Sequence, residues 1–523
     1  MAEVLENPVI KGNIQGGIWP RMPKELESYL FYKITDVERF SLDLSDIIED
    51  ITTGLGSEKH LADIAKAKEA GKPIIPIMCM NVAFTQKGLE KLGRADIDDA
   101  LYEKGMYSDL IFEGADCSER TLPEFKPPPG HNSEDDSWRC DLVFIVAASD
   151  ETKLNEGIAK IKNKFHLRDA NKASLELVVE KNRQRRPGRL RGREHFGFED
   201  HISQPRIKGL DPEPGPREPL SCPPGYIFVG HDGDPRRKQM PPWSYEGSFL
   251  VFRQLDEKVP EFNRFVKDAA RKIKNYQGDN GAEKLAAHMM GRWKSGAPVA
   301  LTPDHDDPKL AFRNDFDFRP KQSILGCPFA AHARKMRTRA DHKGDIGDDD
   351  DFVEGQFTDP QKNDTSRPPG VEAEVDDSDE EPDREPDKED ASVILRRGIT
   401  FGPELGKDET EKTTKSRGMY FTCYQSDIRD GFNLLMTRWA SNSVFPTSKK
   451  RASEHGPGMD PFINQRQRKD HPEGHICLYD GENKDKTHKL DLGTSPWVDQ
   501  RGGEYFFTPS IRGLQWFAHA PKK

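Results

Sequence analysis

The sequence has no CxxC pair, no long apolar run, and no basic start followed by an apolar core. Each absence excludes something. Its seven cysteines (Cys79, Cys117, Cys140, Cys222, Cys327, Cys423 and Cys477) are widely scattered. That excludes a zinc site of ordinary spacing and suits reduced, mostly buried thiols. No stretch reaches the roughly 18 apolar residues of a membrane span, so none is expected. The opening "MAEVLENPVIKGNIQGG" does not read as a signal peptide. A cytoplasmic location is therefore expected, or a secreted one if the chain has been trimmed.

Acidity is also confined. From Asp341 to Ser392 there are 21 Asp/Glu against 5 Lys/Arg, a net of −16, so the remainder carries +5 of the whole-chain −11. The body is mildly basic, and the acidic stretch is too poor in apolar residues to offset chain entropy. It reads as disordered, either a solvated spacer or a docking tail for basic partners.

What is present is a repeated pattern. "SYLFYKI" (28–34) reads as a strand and 36–51 has helical spacing. Residues 141–165 run from strand through Ser149, the expected cap, into a helix. Residues 248–273 repeat the first shape and 418–440 the second. Further strands are expected over 73–84 and 174–180. The spacing lacks regular βαβ units, so the pattern predicts a duplicated α+β fold with antiparallel sheets. The halves are placed at 1–215 and 216–523, with the break in the Pro- and Gly-rich stretch 209–225.

Three stretches carry candidate chemistry. In "GCPFAAHARKMRTR" (326–339) His332 follows small residues. It is either a core or capping histidine or an axial haem ligand, since iron takes one neutral imidazole nitrogen while the other is held by an acceptor. "EHFGFEDHISQP" (194–205) sets Asp200 in a turn, and "ILRRGITFGPE" (394–404) sets Arg396 and Arg397 before a strand. An acid and a guanidinium that converge are what peroxide heterolysis requires. The acid moves a proton between the two oxygens, and the guanidinium offsets developing negative charge.

The arrangement resembles the dye-decolourising peroxidase family, especially its fungal members. The resemblance runs along most of the chain through "NIQGGI" (13–18), "HFGFEDHISQP" (195–205), "GRWKSGAPVALTPDHDDPKLA" (291–311), "CPFAAHARK" (327–335), "RRGITFGPE" (396–404) and "GGEYFFTPSI" (502–511). It implies two ferredoxin-like domains, with haem b (iron protoporphyrin IX) held mainly by the second. The implied activity is a peroxidase that uses hydrogen peroxide to oxidise phenolic or dye-like aromatic substrates by one-electron steps. By motif, His332 matches the proximal ligand, Asp200 the distal acid of GxxDG, and Arg396 the distal arginine. Met419 and Phe421 match apolar residues above the haem, and Asp460 in "PGMDPF" matches an acid that accepts from the proximal imidazole.

One departure stands in the distal motif. Its last glycine is His201 here. That residue either tilts Asp200, narrows the peroxide channel, or acts as a second proton shuttle. Glu199 either adds charge at the pocket rim or faces solvent. The alternative function is a haem-binding or haem-handling protein with weak or altered peroxidase activity. Trp497, Tyr505 and Trp516 are either packing aromatics or carriers of a radical to the surface. The basic run 181–194 reads as a solvated loop, with haem propionates as a second reading; nucleic acid is not an expected partner. The oligomeric state is not legible.

Overall fold

The computed structural model describes residues 8–73, 75–108, 121–129, 137–214, 221–316, 318, 326–339, 392–446, 456–463, 474–479, 487–493 and 495–518. The acidic stretch, apart from Ser392, and Cys117 lie outside the described residues. The six described cysteines are all buried. Among the described residues no helix is long and apolar enough to cross a membrane.

β1 (Leu26–Ile34), β2 (Met78–Phe84), β3 (Leu142–Ala148) and β4 (Leu175–Gln184) pair antiparallel in the order β4-β1-β3-β2. The later half repeats this. β5 (Ser248–Glu257) comes first, then β6 (Leu395–Arg396) with β7 (Ile399–Phe401), then β8 (Gly418–Gln425). A separate hairpin of β9 (His475–Tyr479) and β10 (Thr487–Asp491) follows, and β11 (Val498–Thr508) completes the set as β11-β5-β8-β6, with β7 also on β8. Both halves thus run fourth, first, third, second, which is the ferredoxin-like order expected from the repeated pattern. A bridge from Phe84 to Phe507 joins them into one sheet.

Strand alternation builds two cores. On β1, Leu30, Tyr32 and Ile34 point to one face, and Tyr29 and Phe31 to the other. Helices cover the first face. In the early half, α1 (Val37–Ile47) adds Phe40, Leu44 and Ile47 to that core. α2 (Gly54–Glu69) lies between β1 and β2, while α3 (Gln86–Lys91) and α4 (Ala100–Lys104) lie between β2 and β3. α5 (Glu151–Lys164) adds Leu154, Ile158 and Ile161. Truncating a fully buried aromatic such as Phe144 to alanine costs about 3–5 kcal/mol.

Two local expectations change. The cap of α5 is Asp150, whose carboxylate accepts from Lys153 N at 3.0 Å. Ser149 instead accepts from Ile77 N at 2.9 Å and donates to Asp150. After β8 the chain does not form a regular helix. Residues 429–433 and 435–440 are wide π-type turns, broken at Gly431 with φ −92° and ψ −105°.

A third core serves the site. α6 (Val259–Ala270) and α7 (Gly281–Met290) enclose Phe262, Val266, Leu285 and Met289 with Phe198, Ala330, Phe462 and Trp497. Four segments, around residues 198, 330, 462 and 497, therefore meet against one pair of helices.

Candidate active site

His332 opens α8 (His332–Met336), directly after the buried residues Cys327, Phe329, Ala330 and Ala331. The small side chains of Ala331 and Ala333 let α8 sit close to the end of α7. Gly291 ends α7 with φ +87°, and a Cβ there would meet Ala333 Cβ at 3.0 Å. The crowded basic residues behind the histidine are structural. Arg334 is fully buried, donates to the Cys327 carbonyl and stacks 4.3 Å over Phe329. Lys335 donates to the Trp439 and Asn442 carbonyls at 3.1 and 2.6 Å. Burial lowers its ammonium to about 7.

The imidazole Nδ1 of His332 lies 2.7 Å from Asp460 Oδ2. Asp460 is fully buried and also accepts from Phe462 N at 2.9 Å and Ile463 N at 3.0 Å. Burial works against its charge, but His332 and these donors prevail and hold the carboxyl below its ordinary range. The acceptor fixes the proton on Nδ1, which leaves the Nε2 lone pair free. The His332 side chain is 25 % exposed, and it is not among the residues that line the cavity bordered by Asp200 and Arg396.

Asp200 is presented by a tightly tied loop. Glu194 accepts from Phe196 N at 2.5 Å and Phe198 N at 2.7 Å, while Asp200 N donates to Gly192 O at 2.9 Å. Arg396, at the end of β6, reaches Asp200 with Nη1 2.8 Å from Oδ1, and its backbone N donates to Gln204 Oε1 at 3.0 Å. Arg397 is used otherwise. It donates to the Ile18 and Pro20 carbonyls, up to 3.2 Å away, and ties "NIQGGI" to β6. Burial opposes the charge on Asp200, but His201 and Arg396 outweigh it and hold the carboxyl far below the ordinary range.

Asp200 and Arg396 border a cavity of about 1010 Å³, which His201, Ile202, Asn314 and Met419 also line. Met419 and Phe421 stand half-buried on the same face of β8. Phe421 does not reach this cavity and packs on Phe432, with ring centres 6.0 Å apart. Two contacts bridge the acid and histidine regions. Phe462 lies 6.2 Å from the His332 ring and 6.1 Å from Phe198, two residues before Asp200. Arg339, which follows α8, donates to Ser203 Oγ at 3.2 Å.

The sequence reading missed a polar hub that holds this turn. Asn314 donates to Ile202 O at 2.8 Å and accepts from Arg292 at 2.7 Å and Arg339 at 2.9 Å. Nothing in the sequence near Asn314 signals this, because its partners lie over a hundred residues upstream or in two other segments. Glu194, which organises the Asp200 loop, was also missed, although its place beside the motif was a usable signal.

The basic run is not a solvated loop. Arg183 lies 3.6 Å over the Tyr420 ring, buried on β4, and Arg186 pairs with Glu404. Arg185 and Arg191 both face Glu25. Glu199 does not join the pocket rim and faces Arg193 at 3.6 Å. Tyr505 and Trp497 are buried, and only Trp516 of the three aromatics is well exposed, on α9 (Ile511–Ala518). Trp497 touches Phe462 at 6.4 Å and so stands one ring away from His332.

His201 keeps a backbone that suits glycine. Its φ is +66°, a left-handed conformation that costs a side-chain-bearing residue roughly 1 kcal/mol or more. Its N–H donates to Asp200 Oδ1 at 2.6 Å.

The donors present fit a haem. One imidazole has its Nδ1 anchored on a buried carboxylate, which leaves Nε2 without a hydrogen-bond partner among the described residues, and an acid–guanidinium pair borders a cavity. Among the described residues no group of three or more His, Cys, Asp and Glu side chains is arranged to hold a metal ion by itself.

The chain is similar to known proteins along most of its length. Residues 13–187 match the DyP dimeric alpha+beta barrel domain. The chain is 32 % identical to the dye-decolorizing peroxidase msp1 of Mycetinis scorodonius over 521 residues, covering 96 % of this chain and 86 % of the relative. It is 31 % identical to the dye-decolorizing peroxidase AauDyP1 of Auricularia auricula-judae, covering 98 % and 88 %. A solved ancestral D-type dye-decolorizing peroxidase superposes with a TM-score of 0.80 at 34 % identity, covering 97 % of this chain and 99 % of its own. A dye-decolorizing peroxidase solved with 2,6-dimethoxyphenol gives 0.74 at 29 % identity, covering 97 % and 99 %. The chain belongs to the dye-decolourising peroxidase family. It is a peroxidase, and peroxidases of this type are in general haem-dependent.

Proposed function

We propose that this peroxidase binds haem b through His332 and reduces hydrogen peroxide at Asp200 and Arg396. The observation that carries the reading is an imidazole whose Nδ1 is anchored 2.7 Å from a buried carboxylate, which leaves Nε2 available as a ligand. When bound, the haem supplies the oxidising equivalents taken from peroxide and passes them to the reducing substrate one electron at a time.

The chain's own residues do the rest. Asp460 keeps the proton on Nδ1 of His332 and makes the imidazole more electron-donating. Asp200 stays ionised under Arg396 and is placed to take a proton from one peroxide oxygen and return it to the other. Arg396 remains a cation throughout and faces the charge that develops as the oxygens part. Met419 gives that side of the cavity an apolar wall, and Phe421 backs the same strand face. The reducing substrate is read as a phenolic or dye-like aromatic. A relative at 29 % identity solved with 2,6-dimethoxyphenol supports that class.

Stopped-flow absorbance of the haem-loaded protein with peroxide tests the reading. Wild type is expected to react within milliseconds to seconds, and Asp200→Asn about 10²–10⁴-fold more slowly. An Asp200→Asn variant as fast as wild type would remove Asp200 from the proton path.

A further inference from the structure

The distal acid has a second neighbour. His201 Nε2 lies 3.6 Å from Asp200 Oδ2, while Arg396 holds Oδ1 at 2.8 Å. The carboxylate is thus flanked on its two oxygens by different partners. Only one of them can carry a proton and release it again, because a guanidinium stays charged.

The exposures differ in the same direction. The Asp200 side chain is 14 % exposed and that of His201 is 37 %. His201 therefore touches a largely enclosed carboxylate on one edge and opens on the cavity with the other. It keeps this place in a left-handed backbone that a glycine would adopt without strain. The Asp200–Arg396 contact is intact, so the histidine has not tilted the acid away. A separation of 3.6 Å is too long for a hydrogen bond and short enough for an ion pair once the ring is charged. The neutral ring leaves Oδ2 free to accept a proton.

We propose that His201 is a proton-storing partner that acts through Asp200 during peroxide cleavage. This rests on the reading of Asp200 as the distal acid. Asp200 takes the proton from the first peroxide oxygen and passes it to Nε2 when the exposed ring swings from 3.6 Å to hydrogen-bond distance of Oδ2, forming an imidazolium beside a carboxylate. When the O–O bond breaks, the second oxygen leaves with both bonding electrons and receives the stored proton, so it departs as water. His201 returns to neutral and Asp200 to its anion. The pair is neither oxidised nor reduced, and the two oxidising equivalents stay with the cofactor.

The surrounding charges set the resting form. Asp200 favours protonation of His201. Burial and the cations Arg396, Lys24 and Arg397 oppose it more strongly and bring the ring to about 4. At neutral pH the ring is empty and ready to accept.

The test uses haem-loaded wild type, His201→Gly and His201→Asn. Glycine and asparagine both tolerate the left-handed backbone, so folding is preserved. Haem content and Tm are checked first, and the bimolecular rate with peroxide is then followed from pH 3 to 8. Expected is a wild-type rate that falls below about pH 4. Both variants should react roughly tenfold more slowly at pH 7, with the acid limb moved to lower pH. Variants that keep the wild-type rate and acid limb, or a His201→Gly protein that reacts faster, would overturn the proposal; the latter would make the ring a plug. Asp200→Asn run alongside separates the two readings. If it reacts as wild type, the assignment of the distal acid fails. If it is slow while both His201 variants match wild type, only the role of His201 fails.

Discussion

Asp460 grips His332 while being gripped itself. Its Oδ2 stands 2.7 Å from His332 Nδ1, and its Oδ1 accepts from Phe462 and Ile463 N–H at 2.9 and 3.0 Å. The imidazole is oriented by an anion that has no freedom to turn. The grip acts on both ring orientation and basicity.

Asp460→Asn keeps the shape and removes the charge. Haem affinity is expected to fall about 10–100-fold, and the reduction potential of the loaded protein to rise, because a less basic imidazole stabilises ferric iron less. Haem titration and spectroelectrochemistry check this. Unchanged values would mean that Asp460 only packs.

The two adjacent arginines should respond differently. Arg396→Leu is expected to slow the peroxide reaction about 10²–10³-fold with little change in Tm, since Arg396 faces Asp200 and is partly exposed. Arg397→Leu strands the carbonyls of Ile18 and Pro20 and is expected to cost about 1–3 kcal/mol of stability. Stopped-flow rates and thermal unfolding separate the pair.

Asn314→Ala removes the centre of the hub that ties Ile202 to Arg292 and Arg339. The loss should be about 1–3 kcal/mol in stability. A fall in peroxide rate should accompany it, because the turn that carries Asp200 loses its anchor. Urea unfolding and stopped flow read the two effects.

His288 predicts a pH dependence of stability. It is 2 % exposed, with Nε2 2.7 Å from Pro303 O and Nδ1 2.8 Å from Tyr276 OH. The carbonyl takes the ring N–H, and the other nitrogen accepts from tyrosine, so the ring is satisfied when neutral. Burial lowers it to about 4 from 6.5. The unfolded chain then binds the extra proton first as pH falls. Stability from this group is full above about pH 6.5 and declines through about pH 4, by about 3 kcal/mol in total. Wild type minus His288→Gln, compared by thermal unfolding at pH 7 and pH 4.5, should show that difference shrinking.

Local pattern carried much of the fold into view. β1, β3, β5 and β8 lie within two residues of the expected positions, because each is a dense apolar run bounded by polar residues. β2 begins at Met78 rather than near Pro73, since Pro73 and Pro76 lack the N–H that a ladder needs. The expected helix after β8 fails at Gly431, where the backbone leaves helical geometry. β9 and β10 were not expected.

The site was legible in motifs and not in geometry. His332, Asp200, Arg396 and Asp460 were named from short blocks, and the structure pairs them as Asp200 with Arg396 and His332 with Asp460. The contacts that bring the two pairs toward each other, Phe462 to Phe198 and Arg339 to Ser203, join segments more than a hundred residues apart and have no local signature. The arginines of the 181–194 run were misread for the same reason. Their partners Glu25, Glu404 and Tyr420 lie far along the chain.

The most direct measurement is a haem titration of wild type and His332→Ala, followed by the Soret and charge-transfer bands of the ferric protein. The account predicts tight stoichiometric binding with a histidine-ligated spectrum in wild type, and lost haem or a changed spectrum in the variant. Equal affinity and identical bands in both proteins would contradict it.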